Sequence, residues 1–312
     1  MIIHSTDKNS IRPFLAKLYI PPKNSHKGQN GKVLVIGGSK LFHSSPIWAA
    51  EIASHFVDMV HFSSTAENNE IITSLKKEFR NGMVVHKSDI PTYVAEDDAI
   101  LIGPGMVRNK NKSFKLQVQS FQDIIQLADE AEYARALAYY LFQTYSNKRF
   151  VIDAGALQMI DKEWLLMLAQ PAILTPHQLE FERLFGVSVD QLEIKEKEKC
   201  VKKAAKSYNC VVLLKAIDDI ISDGEQVVRV QGGNQGLTKG GTGDVLAGLV
   251  VALYAKNDPV TSSVVASFLE KRAAELIFQT KGQWYNTTEL LEIIPNVLSD
   301  LVYNKDIRVN FF

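Results

Sequence analysis

One short grammar recurs along this chain: an apolar run without polar alternation, then a glycine or polar stop, then a helical stretch. Lys32-Val33-Leu34-Val35-Ile36 stops at Gly37-Gly38, and Asp98-Ala99-Ile100-Leu101-Ile102 runs into Gly103-Pro104-Gly105. Phe150-Val151-Ile152 ends at Asp153, Ala172-Ile173-Leu174 at Thr175-Pro176-His177, and Val211-Val212-Leu213-Leu214 at Lys215. Runs of this kind read as strands buried on both faces, as parallel strands are. Helical stretches at 47–57, 114–146, 178–185, 193–207, 244–256 and 261–280 lie between or after them. The alternation predicts an α/β fold with a mostly parallel sheet. Val227 to Val230 reads as an antiparallel edge strand. Glycines and polar residues gather just after the strands, where open α/β sheets bind ligands.

No repeat of fixed period and no Pro- or Ser-rich linker interrupts the pattern. The expectation is a single domain over 1–312, with 1–30 as an N-terminal extension and 107–149 as a longer helical insertion. The extension is polar apart from a helical patch at Ile11 to Leu18. The insertion opens with Arg108, Lys110, Lys112 and Lys115, which read as a solvated helix start, with phosphate steering as the alternative.

Composition narrows the partners. Hydrophobic residues make up 46% of the 312 residues, enough for a packed core. Lys plus Arg and Asp plus Glu are both 35, so there is no basic surplus to favour nucleic acid or an acidic membrane. Cys200 and Cys210 have the wrong spacing for a CxxC redox pair or a zinc site. No signal peptide is evident, and the longest apolar run, Val245 to Ala255, is well short of the ~20 residues of a membrane span. The expected location is cytoplasmic, so the sequons at Asn111 and Asn286 carry no weight.

The densest chemical signal is Gly232-Gly233-Asn234-Gln235-Gly236-Leu237-Thr238-Lys239-Gly240-Gly241-Thr242-Gly243-Asp244, followed at once by an apolar helix. Glycines uncover backbone N–H groups, and a helix start adds unpaired donors and the positive end of the dipole. Together they form an anion hole suited to a phosphoryl group. Asp244 fits an ordinary cap of that helix. A cap alone does not need Gly240, Gly241 and Gly243. A carboxylate beside such a hole can instead take the proton of an attacking hydroxyl. Neither a GxxxxGK[ST] P-loop nor a GxGxxG fingerprint is present, which disfavours a P-loop nucleotidase and a nicotinamide dehydrogenase.

The combination of motifs resembles a known family. His26-Lys27-Gly28, Val33 to Ser39, Gly103-Pro104-Gly105, Val151-Ile152-Asp153-Ala154, Ile173 to His177 with Glu180, Leu213-Leu214-Lys215 and the glycine-rich segment occur in the order of the ADP- or ATP-dependent NAD(P)H-hydrate dehydratases of the ribokinase-like superfamily. The likeness spans roughly residues 26–256. It implies a ribokinase-like three-layer α/β sandwich. It also implies phosphorylation of the misplaced hydroxyl of hydrated NADH or NADPH, followed by loss of phosphate. The implied phosphoryl donor is ADP or ATP with Mg²⁺ on its phosphates, and no dedicated metal ligand can be named. Relatives often form tetramers, so a homo-oligomer is implied too.

The resemblance makes Asp244 the proton acceptor and Gly241, Thr242 and Gly243 the anion-hole donors. It puts Ser45, Gly105 and His177 against the substrate. It lays Lys215, Ala216, Ile217, Asp218 and Asp219 along the nucleotide, with Asn234 and Gly243. Several of these have plainer readings. His177 can be a structural histidine, Glu180 a first-turn acid, Lys215 a solvated strand end and Asn234 a turn former.

The chain departs from the family pattern at Ser44-Ser45, Gly155 and Ala216. The region from 257 onward matches it poorly. Two other readings share the motifs: a ribokinase-like kinase of a small alcohol (a hydroxymethylpyrimidine, thiazole or sugar) and a non-catalytic nucleotide-binding module.

Overall fold

The computed structural model describes residues 1–75, 80–109 and 120–303. Lys110, Lys112, Lys115 and Asn111 lie outside the described residues, as does part of the 114–146 helical stretch. The strands are β1 (Ile2–His4), β2 (Lys32–Ile36), β3 (Met59–Ser63), β4 (Gly82–Val84), β5 (Ala99–Ile102), β6 (Arg149–Ile152), β7 (Ala172–Leu174), β8 (Cys210–Leu214), β9 (Asp219–Ser222) and β10 (Val227–Gln231). They form one ten-stranded sheet in the order β1-β10-β9-β8-β7-β6-β5-β2-β3-β4. Only β9 runs against its neighbours. Every other pairing is parallel.

The helices are α1 (Arg12–Leu15), α2 (Ser44–Ala53), α3 (Ala66–Ser74), α4 (Ile90–Glu96), α5 (Phe121–Ile125), α6 (Glu130–Thr144), α7 (Ala154–Met159), α8 (Gln178–Phe185), α9 (Ile194–Ser207), α10 (Thr242–Tyr254), α11 (Pro259–Lys281) and α12 (Thr287–Tyr303). Each central strand sends alternate side chains to opposite faces. Val33, Val35, Leu101 and Val211 meet α2, α10, α11 and α12 in one core layer. Leu34, Ile36, Ile100 and Val212 meet α4 to α9 in the other. The three-layer sandwich expected from the sequence is the observed architecture.

Four strands escape the periodicity reading. In β3 the apolar run is broken by His61, which is fully buried with Nδ1 2.8 Å from both Asp97 oxygens. β1 and β4 are only three residues long, and β9 follows β8 after a tight turn. The N-terminal extension supplies β1 and buries Ile3, Ile11 and Phe14 in the core. β10 pairs antiparallel with β9 as expected, but β1 lies outside it, so it is not the edge. The described part of 114–146 holds two helices, α5 and α6. Asp129 caps the second by accepting from the Glu132 N–H at 2.8 Å.

The order places the switch in strand direction of travel between β2 and β5. From β2 the chain moves outward to β3 and β4, then returns to β5 on the other side. A crevice opens beyond the strand ends at such a point. Its walls are Gly37-Gly38 and Gly103-Pro104-Gly105, clasped by a Gly38 N–H to Pro104 O bond of 2.7 Å.

Candidate active site

The segment 232–241 brings the chain from β10 across the crevice to the start of α10. Gly241 is the N-cap, with φ +99°, and a Cβ there would lie 2.3 Å from the Trp48 ring. Only glycine fits this turn. Thr242 turns inward: its hydroxyl donates to Leu237 O at 2.8 Å and its N–H to Lys239 O at 3.4 Å. Thr242 therefore closes the turn rather than opening a donor to the crevice. Among the described residues no protein acceptor meets the Gly241 or Gly243 N–H. These amides, at the positive end of α10, are the open donors.

Asp244 stands in the first turn of α10 but does not cap it. Ser45, at the start of α2, stands close enough to favour the charged form of the Asp244 carboxylate. Burial, then the negative charge of Asp153, push its pKa up to about 7, against the pull of Ser45 and Lys215. Gly105 touches the same place: with φ +69°, its absent Cβ would lie 3.1 Å from Ser45 Cβ. Three residues assigned to the substrate side by resemblance thus meet at one point.

Lys215, at the end of β8, reaches into this group. Its Nζ donates to Asp153 Oδ1 at 2.9 Å, and a Cβ on Gly243 would lie 3.3 Å from it. Asp153 ends β6 and also accepts from Thr175 Oγ1 at 2.7 Å. Burial opposes the lysine's charge, but Asp153, Glu180 and Asp244 together hold its pKa above the ordinary range. The ammonium stands beside the open amides of α10 with three carboxylates around it.

His177 and Glu180 form a capping box at α8. The Glu180 N–H donates to His177 Nδ1 at 3.2 Å, and Glu180 Oε2 accepts from the His177 N–H at 2.9 Å. His177 Nε2 lies 3.5 Å from Glu180 Oε1, on a side chain that is half-exposed. Burial, then Lys215, Arg108 and Arg183, lower its pKa in spite of Asp153. Glu180 is buried, and desolvation raises its pKa in spite of Lys215.

The segment 215–219 is a braced turn. Asp219 is buried; its Oδ1 accepts from the Ala216 N–H at 2.9 Å and its Oδ2 from Ser267 Oγ at 2.7 Å. Lys271, buried in α11, donates to Ile217 O at 2.9 Å. Asp218 accepts from Gln231 Nε2 at 2.6 Å. Ile217 is 91% exposed, an apolar side chain held out over the turn. Ala216 has no positive φ, so its methyl group sits there without strain. Asn234 is consumed in its own turn. It accepts from the Gly236 N–H at 2.9 Å and from Tyr285 Oη at 3.0 Å, and donates to Ala274 O at 2.8 Å.

The residues without an assigned role in the sequence reading are Asp153, Lys271 and Glu270. Asp153 had a legible signal, an acid at a strand end level with Lys215. Lys271 and Glu270 had none, because both lie inside a long helix. Glu270 is buried, and desolvation followed by Asp219 pushes its pKa up to about 8. Gly155 has a steric cause: a Cβ there would lie 2.2 Å from Met106 O, where α7 passes under the Gly103–Met106 turn. Among the described residues no three His, Cys, Asp or Glu side chains converge to hold a metal ion. None of their helices is long and apolar enough to cross a membrane.

Residues 33–296 match a family described as NAD(P)H-hydrate dehydratase. The match runs 40 residues past Lys256, so α11, which braces the 215–219 turn, belongs to it. The chain is 32% identical over 277 residues to the bifunctional NAD(P)H-hydrate repair enzyme Nnr of Methanocaldococcus jannaschii, covering 88% of this chain and 49% of that protein. It thus spans about half the length of the bifunctional relatives it matches. It is 29% identical over 305 residues to an ADP-dependent (S)-NAD(P)H-hydrate dehydratase of Nitrosopumilus maritimus, with 93% and 97% covered. Its fold is that of a solved Bacillus subtilis ADP/ATP-dependent NAD(P)H-hydrate dehydratase co-crystallised with ATP/Mg²⁺ (TM-score 0.74, 23% identity, 95% and 97% covered). It is also that of an Enterococcus faecalis ribokinase-like superfamily protein (TM-score 0.76, 21% identity, 96% of both chains covered).

Proposed function

The chain belongs to the NAD(P)H-hydrate dehydratase family, and from that premise we propose that it repairs hydrated NADH or NADPH with ADP or ATP as phosphoryl donor. The observation that carries this reading is the convergence of Asp244, Ser45, Gly105 and Lys215 at the start of α10.

The terminal phosphoryl group of the nucleotide lies against the Gly241 and Gly243 amides and the Lys215 ammonium. The hydrate hydroxyl lies against Asp244. As its oxygen bonds to phosphorus and the phosphorus–nucleotide bond breaks, Asp244 takes the hydroxyl proton. The phosphorylated carbon then loses phosphate as the neighbouring ring carbon gives a proton to the departing phosphate or to water, and the double bond of the reduced nicotinamide returns. Lys215 and the amides act on the negative charge that builds on the migrating group, where fixed dipoles and charges are most effective. Ser45 orients the acceptor carboxylate. The exposed Ile217 offers an apolar face to the nucleotide base.

Mg²⁺ fits as a counter-ion carried on the nucleotide phosphates, with water and substrate oxygens as its main ligands. Among the described residues the carboxylates do not converge on a resident metal cage.

The test is recovery of the reduced-nicotinamide absorbance from hydrate, run in parallel with ADP, ATP and no nucleotide. Nucleotide-dependent recovery, lost in Asp244→Asn while nucleotide still binds, is the expected result. A stable phosphorylated product with no cofactor restored points instead to a small-alcohol kinase. Full turnover by Asp244→Asn would falsify the role given to that carboxylate.

A further inference from the structure

A cavity of about 210 Å³ is lined in part by Gly37 and Gly38 of the glycine clasp. Its wall includes Gly38, whose Cα is within 3.3 Å of the Cβ position of Gly105, and Gly105 in turn abuts Ser45. The cavity wall and the residues beside Asp244 thus come together at the Gly38–Gly105 contact.

The lining has a marked chemistry. Met106 and Val107 make an apolar wall, and Tyr133 adds an aromatic ring. Lys87 Nζ sits 4.1 Å from the centroid of that ring. Among the described residues Lys87 has no carboxylate within salt-bridge distance, although Glu130 lines the same cavity and acts on it through its field. Glu130 Oε1 is already accepting from the Lys40 N–H at 3.0 Å. The Lys40 side chain adds a second cation, Glu67 a second carboxylate, and Thr65 with Ala66 brings the start of α3 to the rim. A half-buried ammonium that leans on a ring and lacks a direct anionic partner is a ready partner for phosphate. The apolar and aromatic wall beside it suits a purine or ribose.

Building on the repair activity proposed above, we propose that this cavity holds the adenosine-phosphate half of the dinucleotide hydrate, with Lys87 on a phosphate. The hydrated ring then lies at Asp244 and the rest of the molecule crosses the Gly38–Gly105 clasp. Glycine at both positions keeps two β-carbons out of that path, besides their positive φ of +79° and +69°.

The experiment measures equilibrium binding of NADH and NADPH by their fluorescence, on the full chain and on Lys87→Ala and Lys87→Arg. These reduced dinucleotides carry the same adenosine-phosphate half, so the readout does not depend on turnover. ATP affinity, measured on the same samples, reports whether the nucleotide site is still folded. The expected result is about tenfold weaker dinucleotide binding in Lys87→Ala, partly restored in Lys87→Arg, with ATP affinity unchanged. Equal loss for NADH and NADPH assigns Lys87 to the bridging pyrophosphate. Loss confined to NADPH assigns it to the additional ribose phosphate. Unchanged binding of both dinucleotides, or no binding by the unaltered chain, overturns the subsite. The repair reading is judged separately, by recovery of cofactor from the hydrate.

Discussion

Lys215 Nζ lies 2.9 Å from Asp153 Oδ1, across two strands whose residues are 62 positions apart in the chain. The pair is largely withdrawn from water, and Asp153 is also held by Thr175. A buried ammonium without that partner would lose much of its charge to desolvation. With it, the lysine stays cationic beside the first turn of α10, where a phosphoryl group can use it.

Removing the lysine's charge tests this directly. Lys215→Met is expected to lower kcat by about 100-fold or more, the scale for losing one preorganised charge at a transition state. Steady-state rates on the hydrate check it, with nucleotide affinity measured alongside. A loss confined to nucleotide KM would move Lys215 from the reaction to simple binding.

Asp153→Ala removes the ammonium's hydrogen-bonded partner, and the expected cost in stability is about 3 kcal/mol. Asp153→Asn keeps an acceptor for Thr175 and Lys215 and should cost less. Denaturant midpoints of the two variants give the comparison.

The pH dependence of repair follows from Asp244. Only its carboxylate form can take a proton, and burial has pushed its pKa up to about 7. The expected kcat/KM rises with pH through about 7 and levels off above it. A profile already flat from pH 5 upward would exclude Asp244 as the titrating group.

Stability should move the other way. The folded-state pKa of Asp244 is above its unfolded value near 4, so the folded form holds the proton more tightly. Stability from this group is full below pH 4, falls between about 4 and 7, and stays reduced above. Asp244→Asn should therefore stabilise the fold at pH 8 by about 2–4 kcal/mol, read as a raised Tm, and change little at pH 4. The residue would trade stability for chemistry.

His177 has two separable jobs. As the cap of α8 it accepts from the Glu180 N–H, so His177→Ala should cost about 1 kcal/mol. His177→Asn can keep the cap and restore that stability. If Nε2 also meets the substrate, His177→Asn will fold normally yet show a raised KM for the hydrate.

How much of this was legible in the linear chain can be argued residue by residue. The apolar runs ending at Gly37, Gly103, Asp153, Thr175 and Lys215 already specify parallel strands, because only burial on both faces calls for so many consecutive apolar side chains. The glycines at 240, 241 and 243 already point to a turn with uncovered backbone, because a helix start without side chains exposes its N–H groups. β3 was hidden because His61 reads as polar in one dimension and becomes core only when Asp97 folds over it.

The site's electrostatics, by contrast, belong to the fold alone. Residues 45, 105, 153, 180, 215 and 244 come from separate elements, and a charge shows its effect only at a known distance and depth of burial. Asn234 and Thr242 carry the same donors and acceptors in sequence as any ligand-binding residue, yet the packed chain spends them on its own turns. Local pattern determines which elements form, since it sets which faces must leave water. Which polar groups remain free for a ligand is decided by tertiary contact, since a hydrogen bond is available only where the fold has not already used it.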